Sequence, residues 1–177
     1  MKRLYLATLL AGIALTGLAH AQDDVITIGV PVGLSGANSV VAPSVVQAAE
    51  LAVEEINAAG GVLGKKLALQ IGDDACDPKQ ARSVAEKLAS SKVQFVAGHF
   101  CSSSSIPASE AYAEGNVLQI TPASTNPVFT ERKLWNVLRV CGRDDQQGTV
   151  AAQYILKAFA GKNVAILNDK TTYGKGL

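Results

Sequence analysis

Gly98-His99-Phe100-Cys101-Ser102-Ser103-Ser104-Ser105 is the stretch on which the reading of this chain turns. It follows the short apolar run Val93 to Ala97 and precedes a helical pattern carrying Pro107, Ala108, Ala111 and Tyr112, so it reads as a tight polar loop between a strand and a helix. At such a junction the first helical amides lack backbone partners and lie at the positive end of the helix dipole, a setting that holds a carboxylate or phosphate. The serine hydroxyls add neutral donors, although a helix start with spare hydroxyls is the plainer reading. In open α/β sheets ligands bind at the loops beyond the carboxyl ends of the strands. The expectation is a loop that grips the anionic end of a small molecule.

The flanking segments repeat the same alternation. Upstream, Val25 to Val32 is a β-branched run closed by Gly33-Leu34-Ser35-Gly36, and Val45, Ala48, Ala49, Ala52 and Ile56 then recur at helical spacing up to Gly60-Gly61. Leu67 to Ile71 forms a second strand that stops at Gly72-Asp73-Asp74. Asp77-Pro78-Lys79-Gln80 supplies a cap, a first-turn proline and a glutamine, opening a helix with Ala81, Val84, Ala85, Leu88 and Ala89 on one face. Downstream, Gly115-Asn116 closes the helix after the serines, and Val117 to Ile120 is a fourth strand before Thr121-Pro122-Ala123-Ser124-Thr125-Asn126-Pro127. This βαβαβαβ order predicts an α/β fold, an open parallel sheet flanked by helices on both faces.

Val137 to Cys141 reads as a fifth strand, Asp144 or Asp145 as the cap of a helix with Val150, Ala151, Tyr154, Ile155 and Ala158 on one face, and Val164 to Leu167 as the start of another strand. With no covering helix after that strand, the chain reads as an N-terminal piece of something longer. At the other end, Lys2 and Arg3, an apolar run from Leu4 to Leu18 and Ala19-His20-Ala21 form a cleavable export signal over residues 1–21, leaving a mature chain from Gln22. The apolar run is shorter than the roughly 20 residues of a spanning helix, and no cysteine follows the cleavage site, so no direct membrane anchor is expected.

Export places the three cysteines in an oxidising compartment, where they allow one internal bridge and one leftover thiol. Cys76 and Cys101 each lie just beyond a strand end and can meet on one sheet edge, leaving Cys141 free and buried. A formal charge of +1, with no basic stripe, argues against nucleic acid. Neither a Gly-x-Gly-x-x-Gly nor a phosphate-loop motif is present, so no cofactor is expected.

Three chemistries compete for the polar residues. His99 and Cys101 stand two apart on an extended segment and could pair as imidazole and thiol, which would make an exported thiol or serine hydrolase, but a bridged Cys101 is no nucleophile. The serines lack the Gly-x-Ser-x-Gly turn of a hydrolase. Asp73, Asp74, Cys76 and Asp77 resemble a metal cluster until Asp77 is spent on the cap and Cys76 on the bridge, so no metal is expected either. In the third reading Ala123 and Thr125 offer a carbonyl and a hydroxyl to an ammonium while Ser102 serves a carboxylate, an arrangement suited to an α-amino acid.

Asn57-Ala58-Ala59-Gly60-Gly61, Asp73 to Gln80, Gly98 to Ser104, Ile120 to Thr125, and Asp169-Lys170 with Tyr173-Gly174 together resemble the branched-chain amino acid (leucine/isoleucine/valine) binding proteins of bacterial ABC importers, of the type I periplasmic binding protein class. The resemblance covers the mature chain. It implies a first lobe over residues 22–143 and the start of a second over 144–177, with ligand held between lobes that close around it. It also implies that Ser102 and the Thr125 amide take the ligand carboxylate, that the Ala123 carbonyl and Thr125 hydroxyl take the ammonium, that Cys101 lines the pocket, and that Tyr173 reaches in from the second lobe. A bridge between Cys76 and Cys101 is part of the same pattern.

The implied function is a periplasmic, non-enzymatic monomer that binds an aliphatic amino acid and delivers it to an inner-membrane permease. The alternative is a ligand-sensing domain of a receptor or regulator for an amide or other small amino acid. Two departures stand out: Val41 falls where the family places an aromatic residue, and the acidic residue that completes the ammonium site would lie beyond Leu177. The 177-residue chain alone is therefore expected to bind weakly.

Overall fold

The structure is a computed structural model that describes residues 25–177, and the export signal over residues 1–21 lies outside the described residues. The elements run β1 (Val25–Val32), α1 (Ala42–Ala58), β2 (Lys66–Asp73), α2 (Pro78–Ser90), β3 (Phe95–Ala97), α3 (Ser102–Glu114), β4 (Leu118–Thr121), α4 (Val128–Glu131), β5 (Val137–Arg139), α5 (Asp144–Ala158) and α6 (Thr172–Gly176). The strands form one sheet in the order β2-β1-β3-β4-β5, every pairing parallel. The chain steps from β1 to β2 on one side and then returns past β1 to β3, so the order reverses beside β1. Such a reversal opens a crevice at the strand ends.

Alternation along the strands divides the core in two. Ile28, Val30 and Leu67 turn toward Ala49 and Val53 of α1. Val96, on the opposite face, joins Ala85, Leu88, Ala108, Ala111 and Tyr112 from α2 and α3. Close approach there needs glycine: a Cβ on Gly72 would stand 2.6 Å from Val84 Cγ1, and one on Gly115 would stand 2.7 Å from Ala89 Cβ. Asp77 caps α2 by accepting from the amides of Lys79 and Gln80.

Five expectations change. The serines are not loop: α3 begins at Ser102, with Cys101 as an extended N-cap, so residues 102–105 are its first turn. Helix α1 is rotated from the predicted face, turning Ala42, Val45, Val46, Ala49, Val53 and Asn57 inward while Ala48, Ala52 and Ile56 are exposed. Its anchor is Asn57, whose side-chain amide bonds both the N–H and the C=O of Leu67 on the edge strand, at 2.7 and 2.9 Å. That pairing satisfies edge-strand groups and sets the helix rotation.

Val164 to Leu167 forms no strand. The segment has no ladder partner among the described residues, and Ile166 and Leu167 are about nine-tenths exposed. Helix α5 has its N-cap at Arg143 with Asp144 and Asp145 inside the first turn, and of its expected apolar face only Ile155 is half-buried. Cys141 is free and half-buried rather than buried, because β5 ends two residues before it.

Candidate functional site

The first turn of α3 sits at the carboxyl edge of the sheet, where β3 hands over to the helix. The Ser104 and Ser105 amides already bond the Cys101 carbonyl, which leaves those of Ser102 and Ser103 as the helix's open donors. Most hydroxyls turn inward instead of toward a ligand. Ser103 donates to the Cys76 carbonyl at 2.9 Å, Ser105 meets the Ser124 hydroxyl at 2.6 Å, and Ser104 is buried without a partner. The Ser102 hydroxyl also faces the neighbouring loop, accepting from the Asn126 amide at 3.3 Å.

Cys76 and Cys101 are joined, with their Cα atoms 5.5 Å apart. Cys76 reaches its partner because Ala75 and Cys76 both adopt left-handed backbone, at φ 48° and 55°, which costs an L-residue about 1–2 kcal/mol each. The neighbouring carboxylates hold that turn: Asp73 accepts from the Ala75 amide at 3.0 Å and Asp74 from the Cys76 amide at 2.9 Å. All three aspartates of the supposed metal cluster are thus committed to the backbone. Asn38 adds a donor to Cys101 Sγ at 3.4 Å.

His99 is not poised for catalysis with Cys101. Its ring is buried, Nδ1 standing 2.5 Å from Asp74 Oδ2 and Nε2 standing 3.1 Å from the Tyr112 hydroxyl. Its carbonyl accepts from Thr121 Oγ1 at 2.8 Å, and Ser105 and Ser124 also reach it. His99 therefore ties the end of β2, the body of α3 and the loop after β4 into one unit.

That loop is folded around Thr121 and Arg139. Thr121 Oγ1 accepts from the Ser124 amide at 2.9 Å, and Arg139 donates to the Ser124 and Asn126 carbonyls at 2.8 and 2.9 Å. Burial pulls the Arg139 guanidinium below its ordinary pKa, opposed by nearby Cys141 and Asp144. With its inward carbonyls held by Arg139, the loop leaves Ala123 and Thr125 half-buried beside Ser102. The Thr125 carbonyl accepts from the Asp144 amide at 3.1 Å, while its hydroxyl has no partner among the described residues.

Helix α6 closes the group. Thr171 Oγ1 caps it by accepting from the Gly174 amide at 3.1 Å, and Asn126 Nδ2 donates to the Thr172 carbonyl at 2.9 Å, bringing half-exposed Tyr173 to the same edge. Cys101, Ser102, Ala123, Thr125 and Tyr173 therefore come from the start of α3, the loop after β4 and the short helix α6, which hydrogen bonds connect. Sequence reasoning missed Asn126, Arg139 and Asp144. An arginine ending an apolar strand was the legible signal; Asn126 and Asp144 looked like ordinary turn and cap residues. Asp144 is buried, and neither of its carboxylate oxygens has a partner among the described residues.

A parallel sheet whose polar loops gather amide donors, hydroxyls and carbonyls at one edge makes an α/β lobe with a candidate ligand edge. Residues 25–177 match the family described as periplasmic binding protein, and the chain belongs to that family. It is 49% identical over 176 residues to the Leu/Ile/Val-binding protein homolog 1 of Brucella abortus, covering 99% of this chain and 47% of that protein. It is 50% identical over 171 residues to the Leu/Ile/Val-binding protein BraC3 of Rhizobium johnstonii, covering 97% of this chain and 46% of the relative. Among solved structures, a leucine binding protein LivK from Thermotoga maritima superposes with a TM-score of 0.78 at 29% identity, over 85% of this chain and 43% of that one. The chain thus spans about half the length of the relatives it matches.

Proposed function

We propose that the protein is the periplasmic binding component of an ABC importer, holding an aliphatic, branched-chain amino acid and presenting it to a membrane permease, with no bond-making step. The observation that carries this reading is the contact between the Asn126 amide and Ser102 Oγ at 3.3 Å, which sets the Thr125 loop beside the first turn of α3. The Ser102 hydroxyl and amide and the Thr125 amide then serve a carboxylate, with the open end of α3 favouring negative charge. The Ala123 carbonyl and Thr125 hydroxyl serve an ammonium. Residues 22–143 act as one lobe and 144–177 open a second, from which Tyr173 closes over the ligand; Cys101 lines the wall. The names of the relatives support the choice of leucine, isoleucine or valine.

The test uses the protein as its reading frame encodes it. Ser102→Ala and Thr125→Val each remove one polar contact to a charged ligand group, worth about 1.5–3 kcal/mol, or roughly ten- to a hundredfold in Kd for leucine. Unchanged affinity in both variants would remove the ligand from this edge.

A further inference from the structure

We infer that Asn126 is a positioning residue: it is the joint that seats α6, and Tyr173 with it, against the edge formed by Ser102 and Thr125. The inference rests on the functional reading above and adds to it a residue that touches no ligand atom in that scheme.

Asn126 is buried, and its polar groups are divided among separate elements. Its amide donates to Ser102 Oγ at 3.3 Å, its carbonyl accepts from Arg139 at 2.9 Å, and its Oδ1 accepts from the Val128 amide at 2.9 Å, which starts α4. Only Nδ2 points outward from this loop, donating to the Thr172 carbonyl at 2.9 Å. Apart from the local bond from the Lys170 amide to Asn168 Oδ1, that is the one hydrogen bond among the described residues between residues 169–177 and the rest of the chain. A second contact at the other end of α6 is independent of it. A Cβ placed on Gly176 would run into Asn126 Nδ2 and stand 3.2 Å from Asp144 Oδ2. The helix is therefore held by a carbonyl at its start and by a missing side chain at its end, both against the same amide group. Tyr173 lies between the two holds, so its place relative to Ser102 follows from Asn126.

The geometry separates this role from simple support of the loop. Asn126→Asp keeps the acceptor for the Val128 amide and every backbone bond, and replaces the donor to Thr172 with an oxygen that repels that carbonyl. Gly176→Ala disturbs the same seat from the helix side without adding charge. We expect Gly176→Ala, at a partly exposed position, to melt within about a degree or two of the parent without ligand, and Asn126→Asp, which puts a carboxylate into a buried site, to melt lower. We expect both to speed amide exchange over residues 171–177, and to weaken leucine binding at least tenfold.

Asn126→Ala, which also removes the bond to Val128, serves as the control for loop damage and should lower the melting temperature as well. Exchange at 171–177 unchanged in Asn126→Asp and Gly176→Ala would overturn the proposal. So would faster exchange with leucine affinity intact. If the parent binds no amino acid, the functional reading fails separately, and the exchange arm still decides whether Asn126 seats α6.

Discussion

His99 Nδ1 lies 2.5 Å from Asp74 Oδ2 with both side chains fully buried, and the Tyr112 hydroxyl stands 3.1 Å from the other ring nitrogen. With Nδ1–H donating to Asp74, Nε2 is left to accept from Tyr112, so one proton arrangement satisfies all three groups. Burial, and secondarily the Asp74 charge, hold the Tyr112 hydroxyl above the ordinary phenol range, which keeps it a donor. His99→Ala takes from the buried Asp74 carboxylate its side-chain partner and leaves it the Cys76 amide. It is expected to cost about 3–5 kcal/mol in urea unfolding, whereas Tyr112→Phe, which removes one neutral bond, costs about 1 kcal/mol. Equal losses would mean that His99 supports the fold by packing alone.

The Cys76–Cys101 bridge closes a separation of 25 residues, and a loop of that size stabilises by roughly 3 kcal/mol on the chain-entropy account. A Cys76→Ser, Cys101→Ser double variant should unfold at correspondingly lower urea. Thiol titration of the unreduced, unfolded parent should find one thiol, that of Cys141. In the folded protein burial pushes the Cys141 thiol above its ordinary pKa, so labelling near pH 7 should be slow. Finding three thiols before reduction would remove the bridge and with it the fixed start of α3.

Acid stability tests a third contact. Asp73 accepts from Ser35 Oγ at 2.7 Å, and chiefly that bond holds its carboxyl below the ordinary range, with the Ala75, Ser35 and Leu34 amides adding to it against desolvation. Because the folded pKa is the lower one, the stabilisation is complete above the unfolded value of about 4 and disappears as pH falls through the folded value. Ser35→Ala raises the Asp73 pKa toward the ordinary range. Its deficit against the parent should be constant from pH 7 down to about 5 and shrink below that, as read by melts across pH 2–7. A deficit that persists at the acid end would assign the loss to something other than this carboxylate.

Gly72 tests the close approach of α2 to the sheet. A Cβ there meets Val84 Cγ1 at 2.6 Å, so Gly72→Ala overpacks the seam and should cost about 1–3 kcal/mol, although alanine suits strand backbone. Gly72→Ala paired with Val84→Ala should recover part of the loss. No recovery would place the strain elsewhere.

Much of this arrangement is legible from residue order, and the exceptions have physical causes. The β-branched runs, the Asp77-Pro78 start of α2 and the glycine stops mark elements through local chemistry, and the structure has them in that order. The rotation of α1 was hidden because its alanines fit either face, and only the two bonds from Asn57 to Leu67 decide between them. The serines looked like loop because polar residues favour helix starts and turns alike. Val164 to Leu167 carries strand composition, but a strand exists only with a partner to pair with. At the site, Ser102 and Thr125 could be picked by type and position. Arg139 and Asn126 act through bonds of 2.9 Å across folded loops, which spacing alone does not reveal.

The measurement that tests the central claim most directly is a thermal melt of the protein, as its reading frame encodes it, with leucine, isoleucine, valine, phenylalanine, glutamate and acetamide each in excess. A ligand at about one hundred times its Kd stabilises by roughly 2.7 kcal/mol, enough to raise Tm by several degrees. The account predicts such a shift for the three branched-chain amino acids and little for the others. A shift with acetamide alone, or with none of the six, would contradict it.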